Sequence, residues 1–164
     1  MPMTPYIGAH VVAVLYLLTA ARWPRIARRI AGAGFIVAGA YNIWTAVSSP
    51  SSYVTGFGPH AIPIYQTFIY GPFALHTAAF VIAIALGQLA VGIAILAFVR
   101  WRKLGYVGAI VFLLAITPLG IGSAAPSTLI FAIAMFLLLR FEAKCSTVPK
   151  LVFSPYSAAP PKSH

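Results

Sequence analysis

Acidic residues are almost absent from this chain of 164 residues. It has no aspartate, and Glu142 is its only glutamate, against eleven lysines and arginines. This composition excludes a proton relay built on several carboxylates. Cysteine is equally scarce: Cys145 is the only one, so the chain has no internal disulfide framework. There is also no Gly-rich phosphate loop and no Ser–His–acid triad, and we therefore do not expect an enzyme that acts on its own.

Charge of either sign is rare. Only 7% of the residues are charged, whereas 61% are hydrophobic. A soluble domain carries about a quarter charged residues, because its surface must stay hydrated. The composition therefore predicts an integral membrane protein, and the length suits a single helical unit.

The longest apolar run extends from His76 to Val99, and its only strongly polar interior side chain is that of Gln88. At about 1.5 Å per residue, this run is long enough to cross a hydrocarbon core of about 30 Å. Four further apolar runs complete the pattern. We predict an all-α, polytopic membrane helix bundle with five transmembrane helices, at about residues 6–22, 28–47, 76–99, 104–119 and 126–140.

The remaining stretches complete this prediction. Residues 1–145 form one domain, 48–75 an outer loop, and 146–164 a flexible cytoplasmic tail. Within the loop, residues 62–70 are predicted to form a short helix or re-entrant turn at the interface. Pro24 fits the first turn of the second helix, and Pro118 is expected to kink or end the fourth.

The lysines and arginines fall into three groups, at residues 22–29, 100–103 and 140–162, and none lies elsewhere. If the N-terminus lies outside, all three groups lie on the cytoplasmic side, as the positive-inside rule requires. We therefore predict a protein of the bacterial inner (plasma) membrane, with an outer N-terminus and a cytoplasmic C-terminus. Its predicted partners are the lipid bilayer and other membrane subunits. Nucleic acid is not expected, because no aromatic residues alternate with a basic patch.

Three histidines, His10, His60 and His76, are predicted to lie at similar depth on the outer side. Two facing imidazoles are able to ligate a haem iron, and three are able to hold a divalent metal ion. The alternative is that these are interfacial residues bonded to backbone or lipid headgroups, and we favour it because polar residues near helix ends cost little.

Two amides lie inside the predicted membrane helices: Asn42 in the second helix and Gln88 near the centre of the third. They are expected to hydrogen-bond across a helix interface, as structural contacts. The alternative is that they line a cavity for a quinone headgroup or another polar ligand, extended outward by Tyr65, Gln66 and Tyr70.

Several segments are similar to one known family. They are residues 29–39 (RIAGAGFIVAG), residues 88–92 (QLAVG) followed by Ile95 and Leu96, and residues 105–115. Through them the stretch 28–140 resembles the DoxX-like family of small bacterial membrane proteins. The resemblance implies a four-helix core formed by helices two to five, to which helix one is an addition.

This chain differs from the family at two positions. Relatives often carry a Lys where this chain has Asn42 and a Glu where it has Gln88. Family members are linked to membrane redox systems, including a thiosulfate:quinone oxidoreductase subunit and an oxidative-stress complex. The resemblance implies an accessory role. Our first hypothesis is therefore an accessory or structural subunit of a larger membrane complex, for example a redox or respiratory complex. The alternatives are a quinone- or haem-binding protein with its site in the outer leaflet, built from the histidines, Asn42, Gln88 and Tyr65, and a small transporter.

Overall fold

A computed structural model describes the backbone of residues 3–97, 99–123 and 125–147. All regular secondary structure in these ranges is helical, which confirms the predicted all-α class. The α-helices are α1 (Met3–Arg22), α2 (Pro24–Ser48), α3 (Ser51–Phe57), α4 (Pro63–Phe68), α5 (Thr77–Ala97), α6 (Arg102–Ile116) and α7 (Ser127–Thr147). Shorter helical segments are the 3-10 turns Gly58–His60 and Thr117–Ser123 and the π-helical turn Ile69–Phe73.

The long helices differ from the predicted ones mainly at their ends. Pro24 is the first residue of α2, so Trp23 alone separates α1 from α2, where the sequence predicts a connection of several residues. The missing N–H of Pro24 costs nothing in a first helical turn. At the other end of the chain, α7 continues to Thr147 instead of ending near residue 140. The predicted tail from residue 148 onward lies outside the described residues.

The connection between α2 and α5 is helical over most of its length. Residues 51–73 form α3, a 3-10 turn, α4 and a π-helical turn, where the sequence predicts an outer loop with a short helix or re-entrant turn at residues 62–70. α4 lies inside that predicted segment. The π-helical turn contains Pro72 and the non-helical Gly71 (φ −100°, ψ −111°), which together disturb regular α-helical bonding. Short helices satisfy backbone hydrogen bonds locally, which matters in a segment with no charged residue.

Five helices pack side by side as a closed ring in the order α1, α2, α5, α6, α7, with α7 returning to α1. The most extensive interface joins α2 and α5. Glycines permit this close approach: a Cβ atom on Gly92 would lie 2.7 Å from the carbonyl oxygen of Gly32, and one on Gly39 would lie 2.9 Å from that of Ala85. Gly32 and Gly39 of α2 therefore serve contacts within the chain, whereas Gly34 has open space at its Cβ position.

The short helices cover one end of the ring. Ala46, Ala61, Ile69, Phe73 and Val81 form a second buried cluster beneath them. The N–H of Ile62 donates to the carbonyl oxygen of Pro118 at 3.1 Å and ties this cover to the end of α6.

Three stretches are long and apolar enough to cross a membrane: Pro24–Ser48, Thr77–Ala97 and Arg102–Gly120. The residues of α1 whose side chains are described, Ile7–Arg22, form a shorter apolar helix. The described cations share one end of the ring, opposite the short helices, and these are Arg22, Arg25, Arg28, Arg29, Arg100, Arg102, Lys103, Arg140 and Lys144.

Candidate functional site

A cavity of about 460 Å³ lies inside the helix ring, and all five helices contribute to its wall. The wall is aliphatic and aromatic apart from one amide and one phenol. Its residues are Val12, Tyr16, Ile30, Ala31, Gly34, Phe35, Ala38, Gln88, Phe112, Leu113, Phe131 and Met135. None of them is charged, and none is a histidine.

The cavity opens sideways, between α1 and α2. Val12 on α1 and Ile30 on α2 line it, and at 57% and 50% exposure they are the large apolar residues of the wall that are exposed. Gly34, also on the wall, has open space where a Cβ atom would stand. Deeper in the ring, Gln88 is only 5% exposed and Met135 only 2%. The site is therefore a crevice with an exposed apolar rim on α1 and α2 and a buried end at α5 and α7.

The polar groups of the wall differ in their hydrogen bonding. The hydroxyl of Tyr16 donates to the backbone carbonyl of Ala27 at 3.0 Å, which joins α1 to α2. Gln88 accepts through Oε1 a hydrogen bond of 2.7 Å from Nδ2 of Asn42. The structure thus brings together the two amides that the sequence singles out. Within the described part of the chain, Nε2 of Gln88 has no hydrogen-bond partner, so its two N–H groups remain free.

Tyr53 on α3 extends this contact outward. Its hydroxyl lies 2.8 Å from Oδ1 of Asn42 and 3.4 Å from the backbone carbonyl oxygen of Asn42. Burial raises the pKa of the Tyr53 phenol above its ordinary value. The result is a chain of hydrogen bonds from Tyr53 through Asn42 to Gln88.

The other predicted site residues lie elsewhere. The hydroxyl of Tyr65 on α4 donates to the backbone carbonyl of Ala115 at 3.0 Å, so Tyr53 takes the place predicted for Tyr65 next to the amides. His76 is exposed and borders a separate groove of about 670 Å³ between α3 and the start of α5. His60 lies in the 3-10 turn against Gly120, and His10 lies on α1.

None of the three histidines is among the residues that line the cavity at Gln88. Among the described residues, no group of three His, Cys, Asp or Glu side chains is arranged to hold a metal ion. His76 borders a different groove from the cavity that Gln88 lines, and the outer-leaflet site that combines His10, His60 and His76 with Asn42 and Gln88 stays a prediction.

Sequence reasoning misses two features. The first is the aromatic wall made by Tyr16, Phe112 and Phe131, because nothing in an apolar helix distinguishes a cavity residue from a lipid-facing one. The second is an ion pair between Nη1 of Arg102 and Oε1 of Glu142, at 2.6 Å. The sequence does contain a signal for the ion pair: the single glutamate has eleven lysines and arginines as available partners.

Comparisons of the chain with models of protein families, with curated proteins and with solved structures find no match. The DoxX-like resemblance therefore stays a prediction, and the function is argued from the site itself.

Proposed function

We propose that this chain is an integral membrane protein with five membrane-spanning helices and an outer N-terminus, and that it binds a lipid-soluble ligand inside its helix ring. The observation that carries this proposal is the apolar cavity of about 460 Å³, whose wall includes exposed residues of α1 and α2 and an amide nitrogen without a hydrogen-bond partner among the described residues. Ligand sites in proteins have volumes of about 300–1,000 Å³ and combine an apolar wall with a few polar groups.

Five spans are supported by helix length. The backbone of α1 comprises 20 residues and that of α7 comprises 21. At about 1.5 Å per residue each measures about 30 Å, the thickness of the hydrocarbon core. Residues 127–139 of α7 carry no charge, and its charged residues follow at the same end of the ring as the other cations. This one-sided distribution fits an odd number of spans with the cations on the cytoplasmic side.

Ligand binding is supported by the size of the void. Packed protein interiors leave few spaces larger than a water molecule, since an empty cavity forfeits the contacts of the atoms around it. A cavity that remains open to the membrane is filled by molecules from the membrane. Of the ligands considered from sequence, a quinone fits an uncharged wall with an amide, whereas no histidine lines this cavity to ligate a haem iron.

An accessory subunit of a larger membrane complex is our second proposal. It is supported by the outward face of α5, where Ala83, Gly87 and Ala90 are exposed on successive turns and Gly87 has open space around it. Such faces let another helix approach closely.

Two matched substitutions test the proposals separately. Gly34 and Gly87 both lie inside long helices with open space at the Cβ position, but only Gly34 lines the cavity. Purified wild type, Gly34→Leu and Gly87→Leu are extracted with organic solvent, and the extract is analysed by mass spectrometry. We expect a lipid-soluble molecule bound to wild type and Gly87→Leu. In Gly34→Leu we expect about tenfold less of the bound molecule. Overpacking the cavity costs about 1–3 kcal/mol, and 1.4 kcal/mol corresponds to a tenfold change in the dissociation constant.

The same preparations decide the outcome. Equal amounts of the molecule in all three proteins, or no enrichment over bulk lipid in wild type, would contradict the ligand proposal. Loss of a co-purifying membrane subunit in Gly87→Leu alone would support the accessory role, and its loss in neither variant would count against the α5 face.

A further inference from the structure

We infer that the ligand is a neutral, largely apolar molecule with a carbonyl oxygen, and that this oxygen accepts a hydrogen bond from Nε2 of Gln88. This inference rests on the proposed function, because it specifies the chemistry of the molecule in the same cavity. It is carried by two observations: the composition and depth of the wall, and the direction of the hydrogen bonds that end at Gln88.

The wall requires a neutral molecule. It contains no charged side chain to pair with an ionic group, and an unpaired charge in apolar surroundings is costly. Gln88 also lies in the middle of α5, about 15 Å from either edge of a hydrocarbon core if that helix spans it. Phospholipid headgroups and their esters stay at the interface, so the molecule is one that dissolves in the membrane interior.

The hydrogen-bond chain determines which polar group the molecule needs. The phenol of Tyr53 has one proton to donate, and the shorter contact, 2.8 Å, is with Oδ1 of Asn42. This leaves Nδ2 of Asn42 to donate to Oε1 of Gln88 at 2.7 Å. Oε1 of Gln88 is thus already bonded, and the N–H groups on Nε2 are the part of this amide that has no partner in the described structure; the residue as a whole is only 5% exposed. An oxygen that accepts a hydrogen bond satisfies them, and a carbonyl oxygen does so without bringing an O–H group that needs a partner of its own in the apolar wall.

The opening of the cavity agrees with a membrane source. Its rim, at Val12 and Ile30, is apolar and lies between α1 and α2 on the outside of the ring. Membrane-dissolved carbonyl compounds have two main sources, isoprenoid quinones and neutral glycerol esters. Both offer a carbonyl oxygen attached to an apolar body.

Three decyl-substituted rings that differ in their polar group, together with one neutral glycerol ester, test the inference. Binding to the full chain in lipid nanodiscs is measured for a decyl-substituted benzoquinone, dioctanoylglycerol, decylphenol and decylbenzene. We expect a carbonyl probe to bind about three- to tenfold more tightly than decylbenzene, the range that one hydrogen bond provides. Gln88→Leu is expected to remove this difference. The more tightly bound carbonyl probe identifies the quinone or the ester as the source.

A second variant keeps the test valid if Gln88→Leu folds poorly. Tyr53 does not line the cavity, and Tyr53→Phe removes the donor that orients the two amides. Both amides are then free to turn over, so the preference for the benzoquinone over decylphenol is expected to fall about threefold or more. Tyr41→Phe, on the exposed surface of α2, is the matched control and should leave this preference unchanged.

The possible results separate the inference from the proposed function. If decylphenol binds wild type more tightly than both carbonyl probes, or if Gln88→Leu keeps the carbonyl preference, the inference is wrong while the cavity still binds lipid-soluble molecules. If no probe, decylbenzene included, binds the protein, the proposed function fails with it.

Discussion

Arg102 and Glu142 join the first turn of α6 to the last part of α7 through an N–O contact of 2.6 Å. Their side chains are only 10% and 15% exposed, so the charges depend on each other more than a surface pair does. Because Glu142 is the only acid in the chain, no other carboxylate is able to replace it.

Removal of this carboxylate is expected to destabilise the protein. Glu142→Gln leaves the Arg102 guanidinium buried without its counter-ion, which costs up to about 3–5 kcal/mol. The measurement is the thermal unfolding midpoint of the purified protein in detergent. Lys103→Gln, which removes an exposed cation from the same helix turn, should change stability by less than about 0.5 kcal/mol.

A double variant isolates the pair itself. Arg102→Gln combined with Glu142→Gln should be less destabilised than the sum of the two single variants, because it leaves no buried charge unpaired. Additive effects of the two changes would mean that the ion pair contributes nothing to stability.

Some contacts of single residues follow from the sequence and others do not. Asn42 and Gln88 are predicted to meet because two amides in apolar helices have few other partners. Tyr53 is not predicted to reach Asn42, since its position depends on how residues 51–73 fold back over the ring. Phe112 and Phe131 line the cavity because of the way in which α6 and α7 are oriented about their own axes in the ring. Hydrophobicity alone does not reveal this orientation.

At the scale of the helices, the pairing of α2 with α5 organises the bundle. The backbones approach so closely that Gly92 has no room for a side chain: a Cβ atom would stand 2.7 Å from the oxygen of Gly32 and 2.7 Å from Cγ1 of Ile36. One of these atoms belongs to the backbone, so the helices would have to separate.

Alanine at two glycines of α5 is expected to have opposite effects. Gly92→Ala should lower the free energy of unfolding by about 1–3 kcal/mol through overpacking. Gly87→Ala, with open space around its Cβ atom, should leave stability unchanged or raise it by up to about 1 kcal/mol, because alanine favours the helix. Denaturant unfolding in mixed micelles compares the two, and equal effects would show that the α2–α5 contact is looser than described.

The presence of each long helix is predictable from apolar runs, but the helix ends and the outer connection are not. The fourth predicted transmembrane helix corresponds to α6. It ends at Ile116, close to Pro118, where the sequence predicts a kink or an end. The continuation of α7 past Arg140 is not predicted, because the apolar run that identifies the helix ends there. A helix that leaves the membrane continues with polar residues and an unchanged backbone conformation. The glycines and prolines of residues 50–72 similarly suggest a loop, although most of that stretch is helical.

At the scale of the whole molecule, the ring has a charged end and an uncharged end. Every described lysine and arginine lies at one end, and the short helices α3 and α4, with no charge, cover the other. If the five long helices cross the bilayer, the cavity at Gln88 lies at mid-depth and its mouth between α1 and α2 faces lipid. The proposals for ligand and function depend on this placement.

Thiol labelling of intact cells tests this placement most directly. In a Cys145→Ser background, single cysteines are introduced as Ser51→Cys at the uncharged end and Lys144→Cys at the charged end, both at exposed positions, and an epitope is placed at the N-terminus. We expect a membrane-impermeant maleimide to label Ser51→Cys in intact cells and Lys144→Cys only after lysis, and the epitope to be accessible from outside. Labelling of both cysteines from the same side, or an epitope on the cytoplasmic side, would contradict the five-span ring.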